Sequence, residues 1–528
     1  MPKTAKERMV HMELKVNKDP VRSGERICSS TQEQSVELDY VLPDYYPEIF
    51  RIIKCCAEPE ITACAVNGNR VSYELTVRLR VIYCPEENGS PEAVEQKLVY
   101  SRTVDIDRIA ENPRVYINAV PDHVNCRAVN RRRIDVRGAV TVNICVIGMT
   151  NTEVISEAFG SNIQLRKKSC SCPAQIITSQ KRVTVSDDFT LSETAPPVGT
   201  ILRSSAELIS SDKKIIAGKA AAKGELKISA VYTSPESDSD SPVTSMQFSL
   251  PFSQLVELEG LDDDFECMIN SSVISCELRP SSEGDGNSRQ LECEVLLLID
   301  CIAVKMAAYE IACDEYSTSH TSTHTSAPVR IEKAPVPIDS GISVKGICEN
   351  KDSPLSEIYS AWCTVSGLKI SAEEGGLSAS GKVTLSVMGQ AENGDFVICE
   401  TDIPVEEALP AAVSEISSRV DIRAVLSVTS CSYTITSDNT AEVKAEIAVR
   451  GYFTDYTEIE AITDITVDEN TPREQNEDYA LRLYFAESGE DLWNIAKRYG
   501  ASMLRIIEEN ELDGDAVKEA KMLLIPAL

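Results

Sequence analysis

Between Val71 and Val81 the chain alternates without a break. Val71, Tyr73, Leu75, Val77, Leu79 and Val81 share one parity; Ser72, Glu74, Thr76, Arg78 and Arg80 share the other. Strand side chains point to opposite faces with a period of two, so this run reads as a strand with one buried face. The turn signal Pro85-Glu86-Glu87-Asn88-Gly89 follows. The same device returns at Leu226, Ile228, Ala230 and Tyr232, before Pro235-Glu236-Ser237-Asp238. It returns again at Val383, Leu385 and Val387, before Glu392-Asn393-Gly394-Asp395. Each copy carries a second alternating run: Ile134 to Ile144, Leu291 to Ile299, and Val443 to Val449. A fixed period is the mark of a repeat architecture, and here it is about 150 residues, a typical domain length. The expected fold class is mainly β: three tandem β-rich repeats, sandwich- or barrel-like, with a smaller β-α-α-β module at the C-terminus.

The expected organisation is an N-terminal tail over 1–35 and repeats over 36–160, 174–308 and 336–458. A linker rich in Ser, Thr and Pro lies at 309–335, an acidic linker at 459–478, and the C-terminal module at 479–528. Pro43 to Cys56 reads as one short helix entering the first repeat. Of the 18 cysteines, Cys145, Cys293 and Cys301 fall in strand-like runs, and most of the set read as buried or half-buried thiols. No paired CxxC motif at zinc spacing exists. Cys170 and Cys172, read as part of a polar linker, are the candidates for crosslinking in an oxidising shell.

The net charge of −31 repels phosphate backbones, so no nucleic-acid partner is expected. Met1 to Pro20 has no apolar core, so no secretory signal is expected, and no apolar run approaches the roughly 20 residues of a transmembrane helix. These features imply a cytoplasmic chain.

The last fifty residues change period. Asp491 is an N-cap type, Leu492, Ile495, Ala496 and Tyr499 make one helical stripe, and Gly500 can end the helix in the left-handed region. A second helix is expected from a Ser502 cap to Asn510. Tyr484-Phe485-Ala486 before and Met522-Leu523-Leu524-Ile525-Pro526 after read as strands. The run Tyr484 to Ala496, with Asn510-x-Leu512 and Leu523-x-Ile525-Pro526, resembles a LysM module. Asp491 and Ala520 depart from the usual Thr or Ser and Gly at those places. The resemblance implies binding of N-acetylglucosamine glycans, such as peptidoglycan, between two loops. The expected binding or docking residues are Ser488, Gly489, Glu490, Asp491, Leu492, Trp493, Asn510, Leu512 and Asp513. Glu487, Glu508, Glu509, Glu511 and Asp515 complete an acidic rim that disfavours acidic peptidoglycan peptides and favours a protein partner.

Leu38-Asp39-Tyr40-Val41-Leu42-Pro43-Asp44-Tyr45-Tyr46-Pro47-Glu48-Ile49, with the repeated strand–turn–strand units over 36–458, is similar to the SPOCS-domain spore coat assembly family of SipL and, more distantly, SpoVID. That resemblance implies a scaffold at the forespore surface in the mother cell. It also implies that the LysM module docks a SpoIVA-type coat ATPase and that other coat proteins are further partners.

No catalytic set competes with this reading. There is no Gly-rich phosphate loop and no GxSxG elbow, and no cofactor is implied. His320 and His324 have helical metal spacing but sit in a Ser/Thr run unsuited to a helix. Arg131-Arg132-Arg133 reads as a solvated turn or as a docking patch for an acidic partner. The expectation is a non-enzymatic protein; a peptidoglycan-binding wall or cortex protein is the alternative.

Overall fold

A computed structural model of the chain describes residues 14–86, 89–109, 111–216, 218–234, 243–281, 289–373, 376–410, 420–436, 440–473 and 481–526. The first repeat runs β1 (Lys15–Val41), β2 (Arg51–Asn67), β3 (Arg70–Cys84), β4 (Glu92–Asp105), β5 (Glu111–Asn130) and β6 (Arg133–Phe159). They form two antiparallel sheets, β1-β6-β5 and β2-β3-β4. One buried cluster takes Val71, Leu75 and Val77 from β3 and Val136, Val140 and Val142 from β6, so the sheets face each other as a sandwich.

The second repeat copies this plan with β7 (Ile163–Thr190), β8 (Ile201–Ile216), β9 (Lys219–Thr233), β10 (Val243–Glu257), β11 (Glu266–Pro280) and β12 (Gln290–Ser317). Its sheets are β10-β9-β8 and β11-β12-β7. In the third repeat the long strands are broken: β13 (His320–Glu332), β14 (Val336–Cys348), β15 (Leu355–Thr364), β16 (Leu368–Glu373), β17 (Gly376–Ala391), β18 (Phe396–Leu409), β19 (Asp421–Ile435), β20 (Ala441–Thr454) and β21 (Tyr456–Pro472). All three units are therefore sandwiches, which resolves the choice left open by the sequence.

The six alternating runs are β3, β6, β9, β12, β17 and β20, and each is the inner strand of its sheet. The expected turn Pro85 to Gly89 is bridged by Gly89 N–H donating to Glu86 O at 3.2 Å, with Glu87 and Asn88 outside the described residues, where the whole of Pro235 to Asp238 also lies. The third turn is present: Gly394, at φ 88°, closes it by donating from N–H to Ala391 O at 2.9 Å. A left-handed φ is the reason glycine is needed there.

The first and last strands of the first two repeats are much longer than a sandwich needs. β1 is 27 residues and β12 is 28. In β1 the register shifts between Arg26 and Cys28, and in the β7–β12 pair it shifts at Lys305/Met306. The third repeat has an outright break between β13 and β14 at this place. Bulges bend a strand, and here the bend divides a sandwich half from a second half. Beyond it, three two-stranded ladders form: 15–26 with 147–159, 163–173 with 306–317, and β13 with β21. The ladders share one core of Val21, Val154, Cys172, Ile311, Val329 and Ile459, continued by Ile155, Ala312 and Ile462. They make a three-part stalk.

The stalk corrects five expectations. The tail over 1–35 is, from Lys15 onward, strand β1; residues 1–13 lie outside the described residues. The Ser/Thr/Pro linker at 309–335 is the end of β12 and β13. The acidic linker at 459–478 is β21 up to Pro472, with 474–478 outside the described residues. Cys170 and Cys172 sit in β7 rather than in a linker, and Cys172 is fully buried. Pro43 to Cys56 is no helix: turns lead into β2 at Arg51. In each of the first four cases, backbone pairing with a distant partner supplies the order that local periodicity lacks.

Arg131-Arg132-Arg133 has a structural use. Arg132 donates to the carbonyls of Pro43 (2.7 Å) and Tyr46 (3.2 Å), while the Tyr83 hydroxyl donates to Pro47 O at 3.1 Å. The second repeat repeats this clamp: Arg289 donates to Ala195 O at 3.1 Å and Tyr232 to Pro196 O at 3.0 Å. Thr76, Arg78 and Arg80 on the polar face of β3 are buried as well. Arg78 is buried between repeats, donating to Glu60 at 2.8 Å and to Cys276 O at 3.0 Å.

Candidate functional site

The C-terminal module comprises β22 (Leu481–Ala486), α1 (Leu492–Tyr499), α2 (Met503–Glu509) and β23 (Lys521–Pro526), with the two strands paired. The Asp491 carboxylate accepts from Trp493 N–H at 3.0 Å, and Gly500 ends α1 at φ 66°. Ser502 precedes α2 in extended conformation but makes no side-chain capping hydrogen bond. Leu492, Ile495, Ala496, Ile506, Leu523 and Ile525 form the module core.

Several expected site residues are occupied by holding this fold together. Ser488 Oγ donates to Lys518 O at 2.8 Å, and Gly489 N–H to Val517 O at 2.7 Å. Leu492 N–H donates to Asp515 O at 3.0 Å, and its side chain is fully buried. The Glu490 carboxylate accepts from Tyr484 Oη at 2.6 Å and Glu487 N–H at 3.2 Å. The Asn510 amide takes both backbone groups of Leu524: it accepts from N–H at 2.6 Å and donates to O at 2.7 Å. Leu512 is half-buried and packs on the core, while Asp513 is exposed. The first loop is thus stitched to 515–518, and the N–H groups of Glu487, Gly489, Glu490 and Leu492 are committed.

Asp491 and Trp493 look toward the stalk. Trp493 Nε1–H donates to Asp314 Oδ2 at 2.7 Å, and Lys497 Nζ meets Asp314 Oδ1 at 2.5 Å. Arg166 Nη1 pairs with Asp491 at 2.7 Å. Tyr316 inserts into the module core: its ring meets Trp493 edge-on at 4.9 Å and its hydroxyl donates to Ala501 O at 2.8 Å. Burial pushes the Tyr316 phenol up to about 12. Burial also raises the Asp314 carboxyl, but the hydrogen bonds from Lys497 and Trp493 outweigh it and hold the group below its usual range. From the chain that follows β21, Arg473 donates to Lys497 O at 3.2 Å.

Sequence reasoning did not identify Asp314, Tyr316 and Arg166. They lie in segments with no periodicity, and their partners are more than 170 residues away in sequence. An aromatic residue within a Ser/Thr-rich stretch, Tyr316, was the only local signal. His320 and His324 lie on β13. Four residues along a strand are about 13 Å, too far to share an ion, and His324 Nδ1 faces Glu315 at 3.2 Å. Among the described residues no group of three metal-ligating side chains converges.

With this side of the module held by the stalk, the outer face of the β22–β23 sheet is left in solvent. Leu481, Leu483, Phe485 and Met522 are each about half or more exposed, with Phe485 opposite Met522 in the register. Exposed apolar groups in such a cluster mark interaction surfaces.

The fold and this site define a modular binding protein: β-sandwich repeats carrying a small β-α-α-β recognition module. Residues 48–129 and 197–280 match the SipL SPOCS domain, and residues 486–526 match the LysM domain. No curated protein and no solved structure matches the chain. The chain therefore carries SPOCS and LysM domains and is similar in its domain content to SipL-type proteins. Both are binding domains rather than catalytic ones. No helix among the described residues is long and apolar enough to cross a membrane.

Proposed function

We propose that this protein is a non-enzymatic scaffold of the spore coat, tethering coat layers to the forespore surface from the mother-cell cytoplasm. In this reading the LysM module docks a SpoIVA-type coat ATPase, and the three sandwiches offer further surface to other coat proteins. The observation that carries it is the orientation of the module. Its Trp493 side is bonded to the stalk, the N–H groups of Glu487, Gly489, Glu490 and Leu492 are used internally, and an exposed apolar sheet face remains. Such a surface suits a protein partner better than a sugar chain, whose hydroxyls and acetamides require free polar groups.

The alternative is peptidoglycan binding, which the LysM match itself favours. The test is to immobilise the full chain and present purified coat ATPase and purified peptidoglycan separately. The scaffold reading expects capture of the ATPase, lost in Phe485→Glu, and little retention of the wall. Wall retention without ATPase capture would replace it with the alternative.

A further inference from the structure

Where the three sandwiches meet the base of the stalk lies a cavity of about 550 Å³. A neighbouring cavity of about 380 Å³ shares Tyr116, Gln180, Arg182 and Asp300 with it. Small-molecule sites commonly measure about 300–1,000 Å³, so the larger one alone is adequate. Its wall comes from all three repeats: β1, β2, β5 and β6, then β7, β11 and β12, then β19. It is rich in neutral polar groups, with Asn270 and Gln180 among them.

The charges in this wall do not balance. Arg182 donates to a backbone carbonyl, Ile61 O, at 3.3 Å. The Arg423 guanidinium lies over the Tyr116 ring at 3.8 Å and donates to Ile422 O and to Cys145 Sγ, while its buried Nε has no partner. Neither arginine has a carboxylate within ion-pair distance among the described residues. Asp421, two residues from Arg423, is engaged by Arg26 and by the Tyr456 hydroxyl. Of the two carboxylates in the wall, Glu60 is paired with Arg78 at 2.8 Å. That leaves Asp300, a carboxylate that burial pushes toward its neutral form while a hydrogen bond from Gln180 partly offsets this. Two guanidiniums thus face one weakly charged acid. A buried cation without a paired carboxylate is costly, and a guanidinium that lines a polar cavity in that state is matched by an oxyanion.

We infer that this junction binds a small oxyanion, a carboxylate or phosphate group on a polar metabolite, through Arg423 and Arg182. The surrounding amides and hydroxyls take the rest of the molecule. Because the wall comes from every repeat, the ligand binds only the assembled body and stabilises it by mass action.

The test is thermal unfolding and calorimetry of the full chain with L-glutamate, succinate and inorganic phosphate. Glucose, methylammonium and sodium chloride at matched ionic strength are the controls. At least one oxyanion raises the melting temperature above the chloride control, and glucose and methylammonium do not. Glutamate and succinate against phosphate separate the two anion chemistries. Arg423→Gln weakens the effective probe by about tenfold or more, the loss of one charge-assisted contact. Ser272→Asp, which adds an acid to the same wall without removing a cation, weakens it likewise and serves if Arg423→Gln does not fold. No shift beyond chloride with any of the three probes, or equal binding by a folded variant, overturns the inference.

Discussion

The two halves of each long strand obey different rules. In the sandwich half of β12, Leu291, Cys293, Val295, Leu297 and Ile299 alternate into a private core. In the stalk half of the third repeat, the facing strand β13 reads His-Thr-Ser-Thr-His-Thr-Ser before Val329 and Ile331 reach the shared core. The first half is a strand because its own pattern demands a buried face. The second is a strand because another strand lies beside it and two further ladders cover its few apolar residues. Strand preference depends mostly on cross-strand and same-face neighbours, and the stalk is built on that dependence.

The largest effect should come from the private cores. Leu297 is fully buried in the second sandwich, and Leu297→Ala should cost about 2–5 kcal/mol. Urea unfolding read by circular dichroism would measure it. The stalk can be broken through its backbone instead. The N–H groups of the successive residues Thr323 and His324 point alternately toward and away from β21, so one of Thr323→Pro and His324→Pro removes a ladder hydrogen bond. That one should cost about 2–3 kcal/mol in the same assay; in a linker both would be neutral.

A smaller effect isolates the tip. Asp314→Ala removes the acceptor of Trp493 Nε1–H and the partner of Lys497. A loss of about 1–3 kcal/mol in docking should appear as a Trp493 emission change with sandwich stability intact; Trp493→Phe identifies the Trp362 background. Acid should sharpen the same contrast. The folded Asp314 value lies below the unfolded 3.8, so this contribution is present above pH 3.8 and is lost as pH falls through the folded value. Trp emission followed on acid titration, wild type against Asp314→Ala, should show a transition near the folded value that the variant lacks.

This contrast also explains what was legible in the sequence. Only the six inner strands announced themselves, because a strand paired on both sides with one face in the core carries a clean alternation. The edge strands and the stalk did not, since Ser322 to Ser326 owe their order to Ile462 to Val467 across the ladder. The LysM module was read nearly whole from local signals: a cap at Asp491, a stripe from Leu492 to Tyr499, a stop at Gly500. The stalk contacts of its expected site residues were not legible. Arg166, Asp314 and Tyr316 meet Asp491 and Trp493, and no local pattern encodes a partner that far along the chain. The polar faces of the repeats misled in the same way, since Arg78 is buried by a neighbouring repeat rather than by water.

Hydrogen exchange over His320–Glu332 tests the central claim, that three repeats are fused through one stalk, most directly. The account predicts that these amides are protected to nearly the same degree as those of β14, and that 15–26 and 163–173 lose protection together with them when Ile462 is changed to Ala. Exchange of 320–332 at the rate of an unstructured Ser/Thr linker, with β14 still protected, would contradict it.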